Sequence, residues 1–186
     1  METQETKKGS ISLILGPMYS GKTSELIRRY RRHTLAHRNV IFVKFDKDTR
    51  YDANKVTTHD GIHVDAHNVH QLFDLEEIIK QENVEVICID EIQFYQDAVP
   101  FCKRMVNEYG IIIEACGLNG DFQQKPWQNI SYLQAACDSI LFLTAICHFC
   151  GSEAPFTKRI SNEMEKEIIG GSEKYIAVCR ICYSQK

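Results

Sequence analysis

The sequence predicts an α/β protein, a mainly parallel sheet with helices on both faces followed by a small cysteine-bearing C-terminal lobe. Three observations lead there. Short apolar runs alternate with segments of helical periodicity as far as Thr144, the pattern of strands joined by crossover helices. A glycine-rich string stands between the first apolar run and the first helix, and two C-x-x-C pairs fall within the last forty residues. A length of 186 residues suits one compact domain with an appendage.

Ile11-Ser12-Leu13-Ile14-Leu15 reads as a buried strand ended by the Gly16-Pro17 turn. Beyond Gly21, Leu26, Ile27 and Tyr30 share one helical face, while Arg28, Arg29, Arg31 and Arg32 mostly occupy the other. Val40 to Val43 is a second strand. Residues 44–68 are polar and turn-rich, an excursion from the core, with Asp60-Gly61 placed as a hairpin turn between 57–59 and 62–64. Leu72, Leu75, Ile78 and Ile79 suit an amphipathic helix, and 84–89 is a third strand that stops at Asp90-Glu91. Ala98, Phe101, Cys102, Met105, Val106 and Tyr109 recur at steps of three and four, with Gly110 at the helix stop. Residues 111–115 and 139–144 are the fourth and fifth strands. The α/β alternation ends near Ala145, so the expected division is 1–144 for the α/β domain and 145–186 for the lobe.

Composition excludes several roles. With 22 basic and 25 acidic residues the net charge is −3, without the basic field of a protein that coats nucleic acid. The polar first ten residues hold no signal-peptide core. No apolar run approaches the ~18 residues of a membrane span. A cytoplasmic protein with reduced cysteines and no membrane partner is expected.

Gly16-Pro17-Met18-Tyr19-Ser20-Gly21-Lys22-Thr23 matches G-x-x-x-x-G-K-[ST] between a strand and a helix. The glycines permit close backbone approach, so successive N–H groups can surround phosphate oxygens at the positive end of the following helix. Lys22 then reaches the β and γ phosphates, and the Thr23 hydroxyl can ligate Mg²⁺. The fold class is accordingly a P-loop NTPase core with a RecA-like sheet; a glycine turn that merely packs is the alternative. Val86 to Ile89 ends in Asp90 and Glu91, and a magnesium-bound triphosphate needs an acid at the carboxyl edge of a neighbouring strand. Asp90 would orient the magnesium and Glu91 would be free to accept a proton, against the alternative of two solvated strand-end carboxylates.

Cys147-His148-Phe149-Cys150 and Cys179-Arg180-Ile181-Cys182 are C-x2-C pairs separated by 28 residues. Two such knuckles complete a tetrahedral four-thiolate set, which favours a structural zinc ion over a redox pair or free thiols. Cys88, Cys102 and Cys116 lie in apolar segments and read as core; Cys137 has no obvious partner. The arginine-rich stretch 28–33 reads as a solvated helix face or subunit contact in preference to a nucleic-acid patch. His59, His63, His67 and His70 share a metal-like spacing, but a hairpin would not place them on one face.

Leu-Gly-Pro-Met-Tyr-Ser-Gly-Lys-Thr (15–23), Lys-Asp-Thr-Arg-Tyr (47–51), Thr-His-Asp (58–60), Asp-Glu-Ile-Gln-Phe (90–94), Leu-Asn-Gly-Asp-Phe-Gln-Gln-Lys-Pro (118–126), Thr-Lys-Arg (157–159) and the segment 169–183 together resemble the type II thymidine kinases of bacteria, animal cytosol and poxviruses. The resemblance runs from Ser10 to Tyr183. It implies ATP- and Mg²⁺-dependent phosphorylation of thymidine, and of deoxyuridine, at the 5′-hydroxyl. Carried over by position, Glu91 is the general base. ATP would be held by 16–23, by Asp48, Thr49 and Arg50, and by Asp90, Glu91, Ile92 and Gln93. Thymidine would be held by Met18, Phe94, Leu118, Phe122 and Trp127, and by Thr157, Lys166, Glu167, Ile168, Ile169, Gly170 and Tyr175 of a lasso that closes over the nucleoside. The resemblance also implies a homotetramer with dTTP as feedback inhibitor. This chain departs from the family at Ile92 (usually glycine), Asn119 (usually aspartate) and Trp127 (usually phenylalanine). A rival reading is a zinc-containing ATPase stimulated by nucleic acid.

Overall fold

A computed structural model describes residues 8–46, 55–57, 63–161 and 173–185, with the backbone alone at 55–57 and 63. The chain runs β1 (Ser10–Gly16), α1 (Lys22–Leu35), β2 (Val40–Phe45), β3 (Lys55–Thr57), β4 (His63–Asp65), β5 (His67–Val69), α2 (Glu76–Gln81), β6 (Val86–Ile89), α3 (Ala98–Tyr109), β7 (Ile112–Leu118), α4 (Gln128–Ala136) and β8 (Ser139–Phe142). There follow β9 (Ala145–Ile146), β10 (Glu153–Ala154), β11 (Phe156–Arg159), β12 (Tyr175–Val178) and α5 (Arg180–Ser184).

Six strands form one sheet in the order β5-β2-β6-β7-β1-β8, with every neighbouring pair parallel. Strand periodicity divides the core between the two faces. Ile11, Leu13 and Leu15 join Ile41, Val43, Ile87, Ile89, Ile113 and Ala115 in the larger core, under the helices that carry Ile79, Phe101, Met105 and Leu133. Ile14, Phe42, Val86, Cys88 and Cys116 face the other way and pack with Leu26 and Ile27 of α1. Strands covered on both faces read as near-continuous apolar runs, which is why they were legible.

Helix α3 stops where its sequence says. Gly110 takes φ 65° and its N–H reaches the Val106 carbonyl, while the Ile111 N–H reaches Met105. Together they close the last turn with glycine in the left-handed position that ends a helix.

The structure departs from expectation in two places. Strand β2 continues through Lys44 and Phe45, and His67-Asn68-Val69 returns to pair with it, so 44–68 is not wholly an excursion. A short strand containing His and Asn carries no apolar run, so pairing with β2 alone reveals it. Helix α4 has no apolar periodicity to announce it, because only Ile130 and Leu133 of its nine residues are buried. The expected hairpin is present as β3 against β4, with Thr57 opposite His63; its Asp60-Gly61 turn lies outside the described residues.

Beyond β8 a separate small core gathers Ala145, Cys147, Ala154, Ile176, Ala177, Val178, Cys179 and Cys182, with Tyr19, Phe156 and Tyr183 packed against it. Two antiparallel ribbons, β9–β10 and β11–β12, frame it. Lys158 closes α5 by donating to the carbonyls of Cys182, Tyr183 and Gln185. Among the described residues no helix is long and apolar enough to cross a membrane.

Candidate functional site

The loop between β1 and α1 is shaped by close approach. A Cβ on Gly16 would meet the Leu143 carbonyl, so the loop passes β8 with only a hydrogen to spare. Gly21 precedes α1 at φ 79°, a left-handed conformation that glycine takes without strain. Lys22 is buried, and its ammonium donates to the Pro17 carbonyl at 2.6 Å. Ser20 Oγ donates to the same carbonyl at 2.9 Å.

Two carboxylates meet this loop from the end of β6. Thr23 Oγ1 lies 3.3 Å from both oxygens of Asp90. Asp90 Oδ1 also accepts the Glu91 N–H at 3.1 Å and the Cys116 S–H at 2.8 Å. Burial, reinforced by the Asp90 charge, pushes the Cys116 thiol well above its usual range, so it stays protonated as a donor.

Glu91 sits at φ 51°, ψ 45°, left-handed for a side-chain-bearing residue. Its Oε2 accepts from Gln93 Nε2 at 2.6 Å, and Gln93 Oε1 accepts the Leu118 N–H at 3.1 Å. Gln93 is thereby fixed between β6 and β7. Ile92 is fully buried in the larger core, so its side chain points away from the loop. Asn129 of α4 donates to the carbonyls of Ile92, Gln93 and Tyr95 at 3.1, 2.8 and 3.1 Å.

The aromatic residues gather in two groups. Phe94 stacks on Phe45 with ring centroids 5.5 Å apart and meets Trp127 edge-on at 5.7 Å. Phe122 lies under the Arg159 guanidinium, 3.7 Å from its ring centroid, and its carbonyl accepts from Tyr183 OH at 2.7 Å. Arg159 also donates to Tyr175 OH at 2.7 Å, joining Phe122 to β12. The loop holding Phe122 is tied off by Asp121, whose Oδ1 accepts the N–H groups of Gln123 and Lys125, each at 2.8 Å.

The C-terminal ribbon reaches the glycine loop directly. Met18 N–H donates to the buried Thr157 Oγ1 at 3.0 Å, and Tyr19 OH donates to the Tyr175 carbonyl at 3.2 Å. Asn119, where the family usually has aspartate, donates to the Pro155 carbonyl at 3.5 Å. Asp48, Thr49, Arg50, Lys166, Glu167, Ile168, Ile169 and Gly170 lie outside the described residues.

The ligand atoms of Cys147, Cys150, Cys179 and Cys182 all lie within 4.8 Å of one another. Four sulfurs around one ion at about 2.3 Å would stand about 3.8 Å apart, and Cys150 and Cys179 Sγ are separated by 3.7 Å. The donor set is therefore compatible with zinc. The thiols also polarise one another. For Cys147, burial pushes the thiol up, but N–H groups of Cys179, Phe149 and Cys150 outweigh it and hold the group at about 6. Cys182, next to the Cys179 sulfur, is pushed up to about 12.

The remaining cysteines behave as core residues. Cys88, Cys102 and Cys116 are buried, and burial lifts Cys102 to about 12. Among the described residues the four-cysteine set is the one metal-like cluster. His67 and His70 do not join one: His70 pairs with Asp46 at 3.2 Å and stacks on Phe45. His59 and the His63 side chain lie outside the described residues. Two of the four arginines on α1, Arg28 and Arg29, are held in ion pairs. Glu25 binds Arg28 and Arg29, and hydrogen bonds, led by that from Arg28, hold its carboxyl down at about 2 against the effect of burial. Arg29 also pairs at 2.7 Å with Glu114, which is buried beneath α1.

Sequence reasoning passed over Asn129, Arg159 and Cys116 as site residues. Arg159 stood in a family-like triplet. Asn129 and Cys116 offered no local signal, since one needed an unrecognised helix and the other a neighbouring strand.

A family model described as thymidine kinase matches residues 9–183. The chain is 47% identical over 175 residues to the thymidine kinase of Myxoma virus (strain Lausanne), covering 94% of this chain and 96% of that one. It is 46% identical over 175 residues to the thymidine kinase of Vaccinia virus (strain Western Reserve), covering 94% and 97%. The thymidine kinase of Rabbit fibroma virus (strain Kasza) is 44% identical over the same length, covering 94% and 96%. With nearly every described element inside the matched span, the chain belongs to the thymidine kinase family, in its type II group.

Proposed function

We propose that this protein transfers the γ-phosphoryl group of ATP to the 5′-hydroxyl of thymidine, and of deoxyuridine, giving the nucleoside monophosphate and ADP in deoxynucleoside salvage. The observation that carries the chemistry is the meeting of the glycine loop with the paired acids: Thr23 against Asp90, with Glu91 beside it under the hand of Gln93. Phosphoryl transfer asks chiefly for positioning and charge neutralisation. Backbone N–H groups of 16–23 and the Lys22 ammonium hold the phosphates, and Asp48, Thr49 and Arg50 belong to the same binding surface. Magnesium, held by Thr23 and Asp90, would supply neutralisation of the β and γ oxygens. Glu91 accepts the hydroxyl proton. Gln93 orients it, and Ile92 contributes backbone alone.

The parallel sheet with this loop at a strand end supports a P-loop, RecA-like core in 1–144, and the separate small core supports a lobe in 145–186. Cys147, Cys150, Cys179 and Cys182 would hold zinc there, supplying covalent closure to a lobe whose apolar core is slight. Met18, Phe94, Leu118, Phe122, Trp127, Thr157 and Tyr175, with Lys166, Glu167, Ile168, Ile169 and Gly170 of the lasso, form the nucleoside pocket, where a neutral substrate is recognised by apolar contact and a few hydrogen bonds. Likeness to the family supports a homotetramer, feedback inhibition by dTTP and a cytoplasmic location.

The nucleic-acid-stimulated ATPase finds no support in the matched family. Thymidine-dependent ADP release, unchanged by added single-stranded DNA, is the expected result. ATP hydrolysis driven by single-stranded DNA without thymidine would overturn the kinase reading.

Arg159 gives a sharper test of the pocket. Its stack on Phe122 and its bond to Tyr175 OH are each worth about 1 kcal/mol. Arg159→Lys keeps the charge and loses the planar fork. Steady-state assays are expected to show the KM for thymidine rising about tenfold with the KM for ATP unchanged; an unaltered thymidine KM would place Phe122 and Tyr175 outside the pocket.

A further inference from the structure

Glu91 has two unusual features: a left-handed backbone and a carboxylate that receives a short bond from a side chain two residues on. A strained conformation of this kind persists only where its surroundings over-determine it. The segment after it, Ile92–Phe94, is a single 3-10 turn, too short to hold itself. Its carbonyls point toward α4, and there one side chain collects them. Asn129 Nδ2 lies within 2.8 to 3.1 Å of the carbonyls of Ile92, Gln93 and Tyr95. The other end of the same amide, Oδ1, accepts the Ile130 N–H at 2.8 Å, which fixes the rotamer from its own helix.

The amide thus links α4 to the turn that projects both Glu91 and Gln93. From the opposite side, Leu118 N–H holds Gln93 Oε1. Loosening the turn at Asn129 would let Gln93 and Glu91 swing together while leaving the glycine loop and the Phe122–Arg159 group in place.

We propose that Asn129 is a positioning residue for the general base, acting on turnover through the backbone of 92–95 and the carboxylate of Glu91. The inference rests on the assignment of Glu91 as base. Asn129→Ala is expected to lower kcat about 10- to 100-fold, the scale of a misplaced catalytic group, with the KM for ATP within about twofold of the parent. The decisive measurement is a double-mutant cycle. In a Glu91→Gln background, Asn129→Ala should cost no further turnover, because the group it positions no longer takes a proton. Asn129→Ser, which can serve one carbonyl, should give an intermediate kcat, and it replaces the alanine variant in the cycle if that variant fails to fold. An equal loss in the Glu91→Gln background, or a parallel rise in both KM values, would overturn the proposal while leaving the base assignment intact. Near-normal turnover by Glu91→Gln alone would remove the base assignment, and this proposal with it.

Discussion

Replacing Glu91 by Gln is expected to leave ATP binding intact and to lower turnover by about 10²–10⁴. The substitution keeps the side chain's volume and its ability to accept from Gln93 Nε2, which stands 2.6 Å away, so the turn at 92–94 should survive. It removes the site for the hydroxyl proton. Asp90 cannot readily substitute, since its Oδ1 is already engaged by Cys116 and by the Glu91 N–H, and both its oxygens face Thr23. A nucleotide titration alongside single-turnover transfer of labelled phosphate separates the two effects. Loss of binding in step with turnover would make Glu91 a structural residue, and near-normal turnover would sink the base assignment.

The second large effect is expected at the four-cysteine set. Cys147→Ser and Cys182→Ser should each abolish stoichiometric zinc and, with it, high-affinity thymidine binding. The small C-terminal core has little else to rest on. Of its buried members, Cys147, Cys179 and Cys182 belong to the candidate ligand set, and Ala145, Ala154 and Ala177 bury little surface. Structural zinc contributes about 10–16 kcal/mol of apparent binding free energy in small domains, far above what such a core can supply. The route to thymidine is short. Strands β11 and β12 carry Thr157, Arg159 and Tyr175, which touch Met18, Phe122 and Tyr19 across the site. Metal analysis with thymidine titration checks both halves. Full zinc content in both variants, or unchanged thymidine affinity in zinc-free protein, would contradict the assignment.

The legible parts of this protein share a cause. The strands β1, β2, β6 and β7 are buried on both faces, so burial writes itself into the sequence as unbroken apolar runs. Glycine loop and cysteine pairs were legible because their chemistry demands fixed residues at fixed local spacing. β5 and α4 were not, since the first is a polar edge strand and the second buries only two side chains.

By itself, then, the sequence determined the α/β class, the loop, the acidic pair and the candidate zinc ligands, all of them features encoded within a few consecutive residues. Only the tertiary structure decided what holds those features in working order. Asn129 is 38 residues from Glu91 (129 − 91), Cys116 is 26 from Asp90, and Arg159 and Phe122 are 37 apart (159 − 122). Hydrogen bonds and ring contacts between such partners depend on which strands become neighbours and which helix covers them, and no local spacing records that choice.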